Sequence, residues 1–370
     1  MTGRRILVLG GGAPNLTLMS GALLAFHDRG LSFDVVSMAG GGAVVGLSYL
    51  APKGLTPAQA LRNTMNFGVS DAIYSLLPID YKIFFKGGPL SEAFRNFWRK
   101  LPPVQYAEHQ YGMSPAEKLE ADLLLLAGSV LTPFDATFFS QAICSHVPFI
   151  EDIVDFEKLN RPDQPCCFLN AYCIDTQEVV EFRQPNIDIR HFRAAFSFPY
   201  LYAPYEIDGH FFYEGAAFSS LNLLGVAAAL NIPYIVPPPP DPATADKFIL
   251  FDVLGADLVH PASNIMDAYG QSMIVQSVAN AENELCIFLE WLKTGNVAIP
   301  ASEWRLKALL DRPRPPGSVP DAKGYVVNFP VPVEESPYVL DWSRSNLERL
   351  FDIGYQSGLN LLEEFPELGP

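Results

Sequence analysis

The sequence predicts an α/β fold in which a mostly parallel sheet is flanked by helices, and two stretches near its start carry most of that reading. Residues 5–9 form an apolar run that ends in the glycine triplet Gly10, Gly11 and Gly12, and an apolar helix follows over 16–27. Residues 33–37 repeat the pattern, with a small-residue turn over 38–42 and a buried helix over 43–50 that stops before Pro52 and Gly54. Two successive strand, tight turn, helix units aim backbone N–H groups at the carboxyl edge of one sheet. A third observation sets the size of the unit. Residues 55–140 are helical, irregular and rich in aromatics, and are read as an α-rich insertion or lid within a single domain spanning 1–370.

Strand character returns over 167–171 and again over 179–182, across a turn at Asp175 and Thr176. A Pro- and aromatic-rich loop is expected within 192–222, together with a strand over 210–213 that ends in Glu214 and Gly215. Residues 237–240 form a stiff polyproline connector and 247–253 another strand. A long helix around 264–294, a Pro-rich loop at 313–320 and a terminal helix over 343–364 complete the chain.

Composition removes several function classes. Of the 370 residues 49% are hydrophobic and only 18% charged, ample for a buried core and too little charge for a solvated tail. Lys plus Arg number 25 against 41 Asp plus Glu, a net charge of −16, which argues against a protein that grips nucleic acid through overall charge. A local basic patch still acts, because screening limits the reach of net charge to ~8 Å at physiological ionic strength. Five cysteines without a C-x-x-C pair indicate reduced thiols and a cytoplasmic setting, and spell out no metal site. No apolar run approaches the ~18 residues of a membrane span.

The glycine loops admit three readings. A dinucleotide fingerprint for FAD or NAD fits poorly, since Asn15 falls at the third glycine and Val36, Ser37 and Met38 stand where an acid should meet the ribose. Tight α/β turns would explain either loop alone. Together, they read as a glycine triplet whose amides form an oxyanion hole, facing a strand-to-helix elbow.

At this point the residues resemble the patatin-like phospholipase family. That family opens with a GGGxxG oxyanion loop, places G-x-S-x-G between a strand and a helix, and later carries an Asp-Gly-Gly or Asp-Gly-Ala turn. Here Gly10-Gly11-Gly12 matches the first motif, with Gly21, Leu23 and Phe26 behind it, and Met38-Ala39-Gly40-Gly41-Gly42 matches the second. Ala194 to Pro199, Ile207-Asp208-Gly209 and Tyr213-Glu214-Gly215-Ala216 resemble the run into the aspartate turn, and 347–354 the closing helix. The resemblance implies a patatin-like fold and a lipid acyl hydrolase lineage, whether phospholipase, esterase or thioesterase, that needs no cofactor and no metal. Gly10, Gly11, Gly12 and Gly41 would be its oxyanion hole.

Two of the three catalytic parts differ. Gly40 stands where the family has its serine nucleophile, and Glu214 where it has the dyad aspartate. An elbow strains an ordinary side chain by ~1–3 kcal/mol, which glycine relaxes. With the covalent route through position 40 closed, two alternatives remain: Glu214 as general base for a water, or a non-catalytic acyl-lipid-binding pseudoenzyme. Glu214 could equally cap the turn at Gly215. Ser37, Ser48, Cys166 and Cys167 are read as structural, and His210 as a surface residue.

Residues 82–100 interleave Lys82, Lys86, Arg95, Arg99 and Lys100 with aromatics against the single acid Glu92. Phe94, Phe97 and Trp98 fall on one helix face and are candidates for lipid contact at a membrane surface; the alternative is an amphipathic helix packed on the core. The expected partners are a lipid or an acyl ester or thioester, with peripheral membrane contact through 82–100, and no nucleic acid.

Overall fold

The computed structural model describes residues 4–12, 15–146, 149–223, 246–251, 253–254, 258–262, 265–294, 323–327, 329–331 and 341–369. The polyproline connector and the loop at 313–320 lie outside them. The chain opens β1 (Arg5–Leu9), α1 (Leu16–Asp28), β2 (Val35–Met38) and α2 (Gly41–Leu50). Seven helices follow: α3 (Pro57–Asn63), α4 (Asp71–Tyr74), α5 (Pro89–Trp98), α6 (Pro102–Glu108), α7 (Pro115–Leu131), α8 (Ile150–Ile153) and α9 (Phe156–Leu159). Then come β3 (Cys166–Cys173), β4 (Glu178–Arg183), α10 (Ile189–Ala195), β5 (Tyr205–Ile207) and β6 (His210–Glu214). The remaining elements are β7 (Lys247–Phe251), α11 (Ile265–Thr294), β8 (Lys323–Val327) and α12 (Arg344–Glu364).

Eight strands form one mixed sheet in the order β5-β6-β3-β2-β1-β7-β8, with β4 also paired to β3. The pairs β1 with β2, β1 with β7, β2 with β3 and β7 with β8 are parallel, while β3 with β4, β3 with β6 and β5 with β6 are antiparallel. Alternation along the central strands gives the sheet two apolar faces. Leu7, Leu9, Val36, Met38, Ile249 and Phe251 pack with α1, α2 and α12, whereas Ile6, Val8, Val35, Phe248 and Leu250 pack with Ile274 and Val278 of α11. The α1–α12 crossing is close enough to demand glycine. A Cβ on Gly21 would stand 2.7 Å from the Tyr355 nitrogen, and one on Gly354 2.7 Å from the Leu18 carbonyl carbon.

Register explains how the site is assembled. Phe168 of β3 pairs with Ser37 of β2 and also with Arg183 of β4, so β2 and β4 hold opposite edges of β3. Ala171 pairs with Val180 of β4 and with Glu214 of β6, so β6 takes the same edge as β2, just beyond its end. Met38, the last residue of β2, pairs with Leu169, two residues before Ala171. Antiparallel β6 therefore delivers Glu214 to the carboxyl end of β2.

Residues 55–140 are helical, as expected, with α3 and α7 started by capping boxes at Thr56 and Ser114 and by Pro57 and Pro115 in the first turn. This region is tied to α12 through the fully buried Asp122. Its carboxylate accepts from the Ser70 N–H at 2.8 Å and Gln110 Nε2 at 2.8 Å, and pairs with Lys82 at 2.7 Å and Arg344 at 3.0 Å.

Four elements differ from the sequence reading. Within the expected Pro- and aromatic-rich loop stands most of α10, nucleated by an Asp188 side chain that accepts from the Arg190 and His191 N–H groups. Strand β5 forms because Asp208, at φ +51°, and Gly209, at +84°, make a tight hairpin with β6. Strand β8 lies at the end of the sheet path beside β7, and β7 itself ends at Phe251 rather than Val253.

Candidate active site

The elbow is built where β2 meets α2. Ala39 donates its N–H to the Leu9 carbonyl at 3.0 Å, Gly40 caps α2 at φ +45° and ψ −120°, and Gly41 is its first helical residue. That φ is one side chains rarely adopt. The first glycine loop lies against it: a Cβ on Gly41 would be 2.7 Å from the Gly12 carbonyl oxygen, and one on Gly42 2.6 Å from that of Gly10. Both loops thus meet at the carboxyl edge of β1 and β2.

Glu214 faces this elbow. Its Cδ lies 3.3 Å, and its Oε1 closer still, from where a Cβ on Gly40 would be, and the Ala216 Cβ stands 2.9 Å from the same point. The carboxyl group is 9% exposed and has no hydrogen-bond partner among the described residues. Burial raises its pKa to about 8. At pH 7 it is therefore mostly a neutral acid that can donate a hydrogen bond.

The amides are not equivalent. Gly11 donates its N–H to the Ser220 carbonyl at 2.8 Å, which commits that group. The Gly41 N–H, in the first turn of α2, and that of Gly12, whose φ is +137°, take no acceptor among the described residues. Gly10 lies deeper, with its carbonyl turned toward α2.

Glu214, Gly11, Gly12 and Gly41 border a cavity of about 140 Å³ whose walls include Phe84, Phe196, Phe198, Tyr202, Ile274 and Trp342. Tyr202 is the site residue that sequence reasoning missed. It is 2% exposed, its hydroxyl has no partner among the described residues, and burial raises its pKa.

Other candidate nucleophiles are occupied or inert. Ser37 Oγ donates to the Asn222 carbonyl at 3.3 Å and accepts from Asn222 Nδ2 at 2.9 Å. Ser48 is buried in α2, and burial pushes the Cys167 thiol up to about 12. His210 sits exposed at the far end of β6 from Glu214. With Cys173 and Asp175 it forms the one cluster among the described residues whose three ligand atoms lie within 4.8 Å of each other, away from the elbow.

The three aromatics of α5 separate. Phe94 and Trp98 are half-buried and stacked on each other with ring centroids 5.9 Å apart, whereas Phe97 is 62% exposed. None of them borders the cavity at Glu214.

Residues 7–227 match the patatin-like phospholipase family, which extends from β1 past Glu214 and covers more than half of the chain. The chain belongs to that family. Its structure is similar to the crystal structure of VipD from Legionella pneumophila, at 12% identity and a TM-score of 0.38, over 98% of this chain and 67% of that one. No curated relative matches the sequence. No helix among the described residues is long and apolar enough to cross a membrane.

Proposed function

We propose that this patatin-like protein binds the acyl part of a lipid in the cavity beneath the two glycine loops, without a covalent acyl intermediate. One observation carries the reading: the Glu214 carboxyl group takes the space in which a nucleophile on residue 40 would stand. The surrounding aromatic wall suits an acyl chain. A neutral Glu214, the Tyr202 hydroxyl and the N–H groups of Gly12 and Gly41 offer donors to a carbonyl or carboxylate oxygen at its polar end.

A second reading keeps an activity, favoured by the absence of any partner on the Glu214 carboxyl group among the described residues. Ionised, it would accept a proton from a water attacking an ester or thioester carbonyl, while the Gly12 and Gly41 amides receive the oxyanion. With its pKa near 8, roughly a tenth of the carboxyl is ionised at pH 7. Hydrolysis by this route therefore rises with pH and levels off above about 8.

Peripheral membrane contact through residues 82–100 belongs to the same reading. It is supported by exposed Leu90 and Phe97, and by exposed Phe134, Phe138 and Phe139 on a loop that Asp135 pins to the start of α5.

The deciding experiment compares the parent protein and Glu214→Gln for fatty-acid binding and for turnover of a nitrophenyl ester and an acyl thioester. Binding without turnover in both proteins supports the binding reading. Turnover that rises with pH and disappears in Glu214→Gln replaces it with the hydrolytic one. Absence of both binding and turnover sinks both.

A further inference from the structure

A second and larger cavity, of about 480 Å³, lies among the helices of residues 53–153 and is bordered by Lys82, Lys86, Arg95, Trp98, Arg99 and Tyr111 among others. Its cations differ in how far they are neutralised. Lys82 pairs with Asp122 at 2.7 Å, and Arg99 with Glu108 at 2.7 Å and Asp152 at 2.6 Å. Arg95 and Lys86 have no carboxylate within ion-pair distance among the described residues. Among the described residues, Lys86 Nζ donates only to the Thr132 carbonyl, at 2.8 Å.

Arg95 is the informative group. It is 8% exposed, its guanidinium lies over the Phe85 ring at 5.4 Å, and its one acceptor among the described residues is the Lys86 carbonyl at 3.3 Å. Among the described residues its Nε has no acceptor, and neither does the buried Nε1 of Trp98, a residue that borders the same cavity. Burial is the largest influence on the Arg95 guanidinium, and Glu92 attracts it only from beyond ion-pair distance; a buried guanidinium without a direct ion pair is costly, and each orphaned donor adds to that cost. The arrangement persists in a chain of net charge −16, where acidic partners are plentiful elsewhere.

We propose that this cavity is a binding site for an anionic group, a phosphate or carboxylate, carried on an apolar body. The anion would accept from the Arg95 guanidinium and Lys86 Nζ. The apolar body would lie against Phe67, Phe85 and Phe149. Phe67 and Phe149, whose ring centroids are 5.4 Å apart, border both cavities. The site stands on its own residues and does not depend on what Glu214 does.

The test is calorimetric titration of the full chain with dodecyl phosphate, with inorganic phosphate and the neutral dodecyl maltoside as comparators. Dodecyl phosphate binds best, weakens as ionic strength rises, and loses about tenfold or more of its affinity in Arg95→Gln and in Lys86→Gln. Lys86 is only half-buried, so its variant serves as the test if Arg95→Gln does not fold. Equal binding of dodecyl maltoside removes the anion from the proposal, and equal binding of inorganic phosphate removes the apolar body. Affinity that is unchanged in both variants but falls in Glu214→Gln moves the ligand to the other cavity and overturns the proposal.

Discussion

The Glu214 carboxyl group occupies the volume in which a side chain on Gly40 would begin, with its Cδ 3.3 Å from that point. Gly40 and Glu214 are therefore one arrangement. Glutamate reaches one methylene farther than aspartate, and glycine at position 40 leaves that reach unobstructed.

Gly40→Ser alone is expected to gain no esterase activity. The new side chain meets both Glu214 and Ala216 and holds a strained φ of +45°, for a destabilisation of ~1–3 kcal/mol. Shortening the acid in the double variant Gly40→Ser/Glu214→Asp reopens the space, so nitrophenyl ester turnover should appear there and not in the single variant. Equal turnover in both would show that the two positions are not coupled.

The buried carboxyl group also leaves a signature on stability. In the unfolded chain it titrates near 4.5, and in the folded protein near 8. Below 4.5 both states hold the proton and the full contribution is present. As pH rises toward 8 only the unfolded state releases it, and stability falls by up to ~1.4 kcal/mol per pH unit. Glu214→Gln removes this slope, so its thermal midpoint relative to the parent should climb between pH 5 and 8. A flat difference across that window would show that the carboxyl is not desolvated.

A fluorophosphonate probe should leave the protein unlabelled. Residue 40 has no hydroxyl, Ser37 is buried and engaged with Asn222, and Ser48 is buried in α2. Stoichiometric labelling of either serine, read by mass spectrometry, would restore a covalent mechanism.

Asp122→Ala should be among the most damaging single changes. It strips the counter-charge from Lys82 and Arg344 together, and breaking a buried pair in this way costs ~3–5 kcal/mol. The urea midpoint should drop accordingly. A midpoint within error of the parent would show that α12 does not depend on this contact.

The close approach of the two loops at the candidate site was legible in the sequence because its geometry is written in glycine. The triplet at 10–12 and the run at 40–42 mark backbones in close contact, and the strand ending in Glu214 follows in the family's order. Tyr202 was not legible, since one aromatic among many in a Pro-rich stretch does not announce an unpartnered hydroxyl. Helix α10 had a local signal in Asp188, whose side chain caps it, but only seven residues in which to show a period. Strand β8 depends on pairing with β7, across more than seventy intervening residues, and no short window reports that. In the basic segment, periodicity put Phe94, Phe97 and Trp98 on one face, but which of them α7 covers depends on tertiary packing. There a Cβ on Gly128 would strike the Trp98 ring, 2.7 Å from Cε2.

Strand β6 has a consequence for how such a site changes over time. It is held between β3 and β5, and a slip of one residue would turn Glu214 to the opposite face of the sheet. The acid is thus delivered by a hydrogen-bonded ladder rather than by a loop, and the Asp208–Gly209 hairpin can lengthen or shorten without moving it. A substitution at this position therefore exchanges one side chain for another on a fixed backbone, and the functional group presented to the elbow can change while the frame that presents it stays in place.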